Sequence, residues 1–301
     1  MLKRQVCYTC NFPTRTCICK ALPSEPLAPL FQRCRIVVLQ HPHELRRKNR
    51  SLPLVDLCLF GKSNGEKNET NSTSQSTSLD KTNQDFVMRT VVGRRFGDQC
   101  DEAVLRLLRD PNEVVVAVFP HPQALDLEKG IRLADERCGL VNDNSESTSN
   151  NATDTRQRHK KITLVFIDAT WKHAKEMDKS NSEIGKWPEN LIRVQMTPSE
   201  TISNNTNDAS TDTKINSKTF VQRRFQIRAP PSPDHLSTAE CLAWVASYVE
   251  RNPVIYEKIT KVLDYIVDIW KGFSKDEKSN GGWDSMTQKK RKITQNKVNG
   301  D

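Results

Sequence analysis

The chain is 301 residues long, with 46 lysines and arginines against 37 aspartates and glutamates, a formal net charge of +9 and a pI near 9.1. That excess suits a phosphate-rich partner, and the length suffices for one large domain or a core domain with a small one. No apolar stretch approaches the ~20 residues a membrane helix needs, so no membrane partner is expected.

In chain order the first feature is Cys7-x2-Cys10-x6-Cys17-x-Cys19. Nine cysteines behind an N-terminus without a secretory apolar region suggest a reducing compartment, cytosol or nucleus. Four thiolates packed this densely can close a tetrahedral zinc site, structural because no coordination position stays open. The alternative is isolated buried thiols, as expected for Cys34, Cys58, Cys100, Cys138 and Cys241. Nearby Lys3, Arg4, Arg15 and Lys20 suit contact with an RNA backbone.

Residues 35–39 then read as a strand that ends in Gln40-His41-Pro42, and residues 50–60 carry a helical apolar pattern. Residues 89–92 and 114–118 read as strands with a helix between them at 101–109, and the second strand ends in Phe119-Pro120. Residues 162–167 form a nearly unbroken apolar run, the mark of a strand buried on both faces. A further strand candidate lies at 191–194, and after residues 225–228 the chain turns through Pro230 and Pro231. A helix is expected from about Ser237, and a long final one over 253–270.

Three polar blocks near 61–85, 141–161 and 199–218 are rich in Asn, Ser, Thr and Lys, and read as disordered insertions. The organisation expected is a zinc-binding segment at 1–30, a catalytic domain at 31–274 and a basic tail at 275–301. Lys289-Lys290-Arg291-Lys292 in that tail is a solvated charge run or a nuclear-import signal. Strands alternating with helices predict an α/β fold, a mostly parallel sheet with helices on both faces. The strand exits at Gln40-His41, Phe119-Pro120 and Asp168 would then share one rim, where such sheets collect ligands.

The most informative segment is Asp168-Ala169-Thr170-Trp171, directly after the buried strand. Asp168 either faces a ligand at that rim or caps a helix beginning near Lys172, with Trp171 packed beneath it.

Taken together, these pieces resemble the DTW-domain family, in particular the tRNA-uridine aminocarboxypropyltransferases. The resemblance rests on the cysteine cluster, Gln40-His41-Pro42 with Glu44, Phe119-Pro120, the D-x-T-W signature, Arg228-Ala229-Pro230, and Leu236-Ser237-Thr238-Ala239-Glu240. Ala169 occupies a variable position, and the polar insertions fall between motifs. The resemblance implies a SPOUT-like fold with a C-terminal trefoil knot and a small N-terminal zinc knuckle. It also implies S-adenosyl-L-methionine as group donor. The 3-amino-3-carboxypropyl arm would go to N3 of a tRNA uridine, releasing methylthioadenosine.

On that basis Asp168, Thr170 and Trp171 are the expected catalytic set. Asp168 would accept the N3 proton, orient the base or balance the sulfonium charge. His41 is a second acid–base candidate. Gln40, His41, Pro42, Phe119, Pro120, Ile227, Arg228, Ala229, Pro230, Leu236, Ser237 and Thr238 would hold the donor. Ser237 either helps to bind its carboxylate or simply caps a helix with Glu240. Arg46, Arg47, Lys48, Arg50, Arg94, Arg95, Lys172 and Lys175, with His173 among the last run, would follow tRNA phosphates. A ribosomal-RNA aminocarboxypropyltransferase, a SPOUT-type methyltransferase and a non-catalytic zinc-knuckle RNA adaptor are the competing readings.

Overall fold

A computed structural model of the chain describes residues 5–47, 50–61, 86–97, 101–139, 160–196 and 236–278. Its centre is a six-stranded sheet built from β1 (Cys34–Gln40), β2 (Met88–Val92), β3 (Val114–Val118), β4 (Leu125–Asp126), β5 (Ile162–Asp168) and β6 (Ile192–Gln195). The strand order is β2-β1-β5-β3-β6-β4, and every pairing is parallel. Helices α1 (Pro42–Leu45), α2 (Leu52–Phe60), α3 (Glu102–Arg109), α4 (Leu127–Cys138), α5 (Trp171–Glu183), α6 (Thr238–Glu250) and α7 (Pro253–Lys278) complete it.

The apolar runs explain the central position of β1 and β5. All seven residues of β1 and six of the seven in β5 are buried, as strands covered on both faces must be. Ile36, Val38, Leu164 and Phe166 point to one face, into a cluster with residues of α2, α4, α6 and α7. Val37, Leu39, Val115 and Val165 point to the other, against Val104 and Leu107 of α3 and Met177 of α5. Helices therefore cover both faces, as the alternation predicts. Among the described residues, no helix is long and apolar enough to cross a membrane.

Three elements were not anticipated: the single turn of α1, β4 and α4. β4 is only two residues long, too short to leave a pattern. α4 does carry one: Leu127, Ile131, Ala134 and Cys138 share a buried face, Asp126 caps the start, and Gly139 ends it at φ 69°. Gly130 lets α4 approach β6, because a Cβ there would lie 2.1 Å from Val194 Cγ1. α7 also runs past its expected end to Lys278.

The N-terminal segment packs on the same core, with Ile18, Leu27 and Phe31 in one cluster with β1 and α7. The turn expected at Pro230-Pro231, most of the polar insertions and the segment 279–301 lie outside the described residues. So does the stretch 197–235, on which the expected knot depends.

α6 sets the depth of the site. Glu250, at its last turn, accepts main-chain N–H bonds from Arg33 (3.0 Å) and Cys34 (2.8 Å) where β1 begins. The opposite end of α6 is thereby carried to the carboxyl ends of the strands.

Candidate active site and metal centre

At that rim, the register aligns Gln40 with Asp168 and with Val92. The chains leaving the strands stay tied together. His41 N–H donates to Asp168 O (2.9 Å), Gly93 N–H to Gln40 O (2.9 Å) and Phe119 N–H to Val194 O (3.0 Å). Loops distant in sequence thus leave the sheet side by side.

Asp168 is 8% exposed and its carboxylate is gripped from two sides. Gln40 Nε2 donates to Oδ2 at 2.7 Å, and Thr238 Oγ1 donates to Oδ1 at 2.7 Å. Bonds of this length to an ionised acceptor are among the stronger ones in proteins. The capping alternative for Asp168 is therefore corrected. Thr170 is the N-cap of α5, its hydroxyl accepting from His173 N–H at 3.4 Å. The strand simply runs one residue further than its apolar pattern, which moves the cap two positions along.

Trp171 opens α5 and stacks on Phe119, ring centroids 5.8 Å apart at 28°. Phe119 is buried, whereas Pro120 beside it is exposed. Ser237 caps α6 in a reciprocal box with Glu240 (2.7 and 3.3 Å). Its capping role is thus present, and it places Thr238 on the first turn, facing Asp168. Leu236 precedes it, half-buried. Ile227, Arg228, Ala229 and Pro230 lie outside the described residues.

His41 is 2% exposed and lies flat on His173, centroids 4.2 Å apart at 8°, with His43 edge-on at 4.8 Å. Its Nδ1 accepts from His43 N–H at 3.1 Å, at the start of α1 where Pro42 occupies the first position. Burial, then the neighbouring His173, His43 and Arg94, hold the His41 pKa below its usual value, with Glu176 opposing. Sequence reasoning missed His43 as a partner of His41, although the His-x-His spacing at a strand end was a usable sign.

Of the expected RNA-facing cations, Arg46, Arg94, Arg95, Lys172 and Lys175 are exposed and Arg50 half-buried. Arg47 is exposed as well but pairs with Glu44 at 3.2 Å. Lys48 lies outside the described residues. The Arg94-Arg95 loop is held by Asn181, which is fully buried in α5. Its Oδ1 accepts from Phe96 N–H (2.9 Å), and its Nδ2 donates to Met177 O (2.7 Å) and Arg94 O (3.4 Å). A mid-helix asparagine gives no sequence sign of this role.

The cysteine cluster assembles as the spacing suggests. Cys7 and Cys19 sulfurs lie 3.7 Å apart, Cys10 and Cys17 sulfurs 3.9 Å, and all four within 4.8 Å. A tetrahedron with Zn–S bonds of about 2.3 Å has edges of about 3.8 Å, so the donor set fits zinc. A tight loop shapes it, with Cys7 N–H donating to Phe12 O (2.8 Å) and Asn11 N–H to Cys7 O (2.9 Å). Main-chain N–H groups of Cys10 and Thr9 bring the Cys7 thiol down to about 6, while burial pushes Cys19 up to about 12. Four thiolates set this close repel one another, and a bound cation offsets that charge. The remaining described cysteines sit singly, and burial pushes Cys58 and Cys241 up to about 12.

Comparison with known proteins places this geometry. The DTW domain family matches residues 4–271. The chain belongs to the DTW domain family. It is 24% identical over 261 residues to tRNA-uridine aminocarboxypropyltransferase 2 of Mus musculus, covering 87% of this chain and 62% of that protein. The Macaca fascicularis protein of the same name gives the same figures. tRNA-uridine aminocarboxypropyltransferase A of Arabidopsis thaliana is 24% identical over 267 residues, 88% of this chain and 80% of that protein. This DTW chain thus spans under two thirds of its mouse and macaque relatives. No solved structure matches it. Within the DTW signature, Asp168 faces the rim and Thr170 caps the helix that follows.

Proposed function

We propose that this protein is a tRNA-uridine aminocarboxypropyltransferase, with the carboxylate of Asp168 at the centre of its active site. The observation that carries the reading is the convergence of Gln40, Asp168 and Thr238, three motif residues from distant segments, on one buried carboxylate. S-adenosyl-L-methionine, when bound, would supply an activated 3-amino-3-carboxypropyl arm whose γ-carbon would bond to uridine N3 as its C–S bond breaks, leaving methylthioadenosine while the N3 proton passes to solvent. The rim loops at Gln40-His41-Pro42, Phe119-Pro120 and Leu236 to Thr238 form the donor site. Such a transfer depends on alignment, because holding the reacting atoms in line removes much of the barrier.

Asp168 serves as a fixed negative charge at this site. Both of its oxygens already accept short bonds, so it suits orienting and charge balance better than proton removal. Trp171, stacked on Phe119, offers a flat wall for an aromatic ring of donor or acceptor. Arg46, Arg50, Arg94, Arg95, Lys172 and Lys175 surround the rim as phosphate contacts. The four cysteines hold a structural zinc that shapes the N-terminal segment.

The test is nucleoside mass spectrometry of tRNA incubated with the protein and S-adenosyl-L-methionine. Aminocarboxypropyluridine and equimolar methylthioadenosine are expected. Adenosylhomocysteine with a methylated nucleoside would make the protein a methyltransferase instead.

A further inference from the structure

Three histidines meet at the rim, and the reading of the site given above uses only the His41 loop, leaving His43 and His173 without a task. His41, His43 and His173 bring ring nitrogens within 4.8 Å of one another. They come from the exit of β1, from α1 and from the first turn of α5, beside exposed Arg94 from the loop after β2. His41 is buried beneath, His173 lies on it, and His43 is exposed with its ring edge-on to both, 4.8 and 5.4 Å between centroids. His173 Nδ1 is enclosed and meets no hydrogen-bond partner among the described residues.

A metal is the first ligand such a trio suggests, but the ring geometry disfavours it. Rings stacked at 8° hold their in-plane lone pairs in separate, nearly parallel planes, which do not meet at one ion. His41 Nδ1 already accepts the His43 main-chain N–H, so its neutral ring carries the proton on Nε2 and has no free lone pair. The cluster presents N–H donors instead, with an arginine beside it, and this is the chemistry of an oxyanion site.

We propose that His43 and His173, backed by His41 and flanked by Arg94, bind a backbone phosphodiester of the RNA substrate, and that seating the phosphate draws a proton into the histidine cluster. This deepens the tRNA reading above and rests on it. Without a ligand, burial and the cations around it disfavour charge on His41. Protonating His41 sets a cation in a buried position that already faces Arg94, with Glu176 on α5 opposing. The Asp168 carboxylate is turned toward Gln40 and Thr238, while its carbonyl accepts the His41 N–H. A phosphodiester supplies the missing negative charge, so the histidine pKa is higher in the complex than in the free protein. Affinity then rises as pH falls from the complexed value toward the free one, by at most a decade per pH unit per proton. Lysine and arginine contacts elsewhere on the rim give no such signature between pH 6 and 8.

The experiment measures tRNA affinity of the full chain at pH 6, 7 and 8 at constant ionic strength, with proton uptake read by calorimetry in buffers of differing ionisation enthalpy. The wild type is expected to bind about tenfold more tightly at pH 6 than at pH 8, with close to one proton taken up. His43→Gln and His173→Gln, which keep a donor but cannot titrate, should lose that gain and resemble the wild type at pH 8. A pH-independent wild type that still binds tRNA tightly refutes the cluster proposal and leaves the tRNA reading intact. No tRNA binding at any pH removes that reading and this one together. Proton uptake on adding S-adenosyl-L-methionine alone assigns the cluster to the donor and overturns the proposal. So does a second bound zinc, beyond the cysteine site, that disappears in His43→Gln.

Discussion

Asp168→Asn separates the charge of this residue from its shape. The amide oxygen can still accept from Gln40 Nε2, now 2.7 Å from Oδ2, and the new amide N–H can donate to Thr238 Oγ1, whose hydroxyl rotates to accept. Geometry survives while the negative charge is lost. A hydrogen bond to a charged group contributes about 1 kcal/mol more than a neutral one. Two of them bound the destabilisation at about 2 kcal/mol, or about 4–8 °C in Tm for a domain of this size. Transfer is expected to suffer far more, falling about 100-fold or more, since removing one preorganised electrostatic contact typically costs that much. Scanning calorimetry gives the first quantity, and methylthioadenosine release at saturating tRNA the second. A variant that folds, binds tRNA and turns over at the wild-type rate would show that the negative charge has no part in catalysis.

Other perturbations read other parts of the structure. Asn181→Ala leaves the Phe96 N–H without its partner in the interior, at a cost of about 1–3 kcal/mol. By loosening the Arg94-Arg95 loop it should raise KM for tRNA more than it lowers kcat, which steady-state kinetics would show. Cys17→Ser should abolish bound zinc measured by elemental analysis and lower Tm, because Ile18, next in the chain, is part of the main core; full zinc content in the purified variant would contradict the four-cysteine site. Gly130→Ala forces a methyl group to within 2.1 Å of Val194 Cγ1, and overpacking of about 1–3 kcal/mol should appear in urea denaturation. An unchanged midpoint there would mean that α4 is free to move off β6.

Near-neighbour signals accounted for much of the architecture. Apolar runs located β1, β3 and β5, because burial on both faces of a parallel sheet demands them, and shorter β-branched segments located β2 and β6. The Ser237–Glu240 box was legible for the same reason, since its partners lie three residues apart. The cysteine spacing led directly to a cluster that closes to metal-binding distances. β4 left no trace because two residues cannot show a period, whereas the α4 face was written in the chain and overlooked.

What the sequence determined by itself was therefore the alternation of strands and helices, the thiol cluster and the presence of a charged residue at a buried strand's end. Only the tertiary structure decided what that residue does. Whether Asp168 capped a helix or faced its neighbours across the sheet depended on Gln40 and Thr238, 128 and 70 residues away. The stacking of His173 on His41 and the grip of Asn181 on the Arg94 loop have the same origin. Each depends on which strands lie side by side, and the order β2-β1-β5-β3-β6-β4 is set by pairing and packing of the whole sheet, which no local pattern encodes.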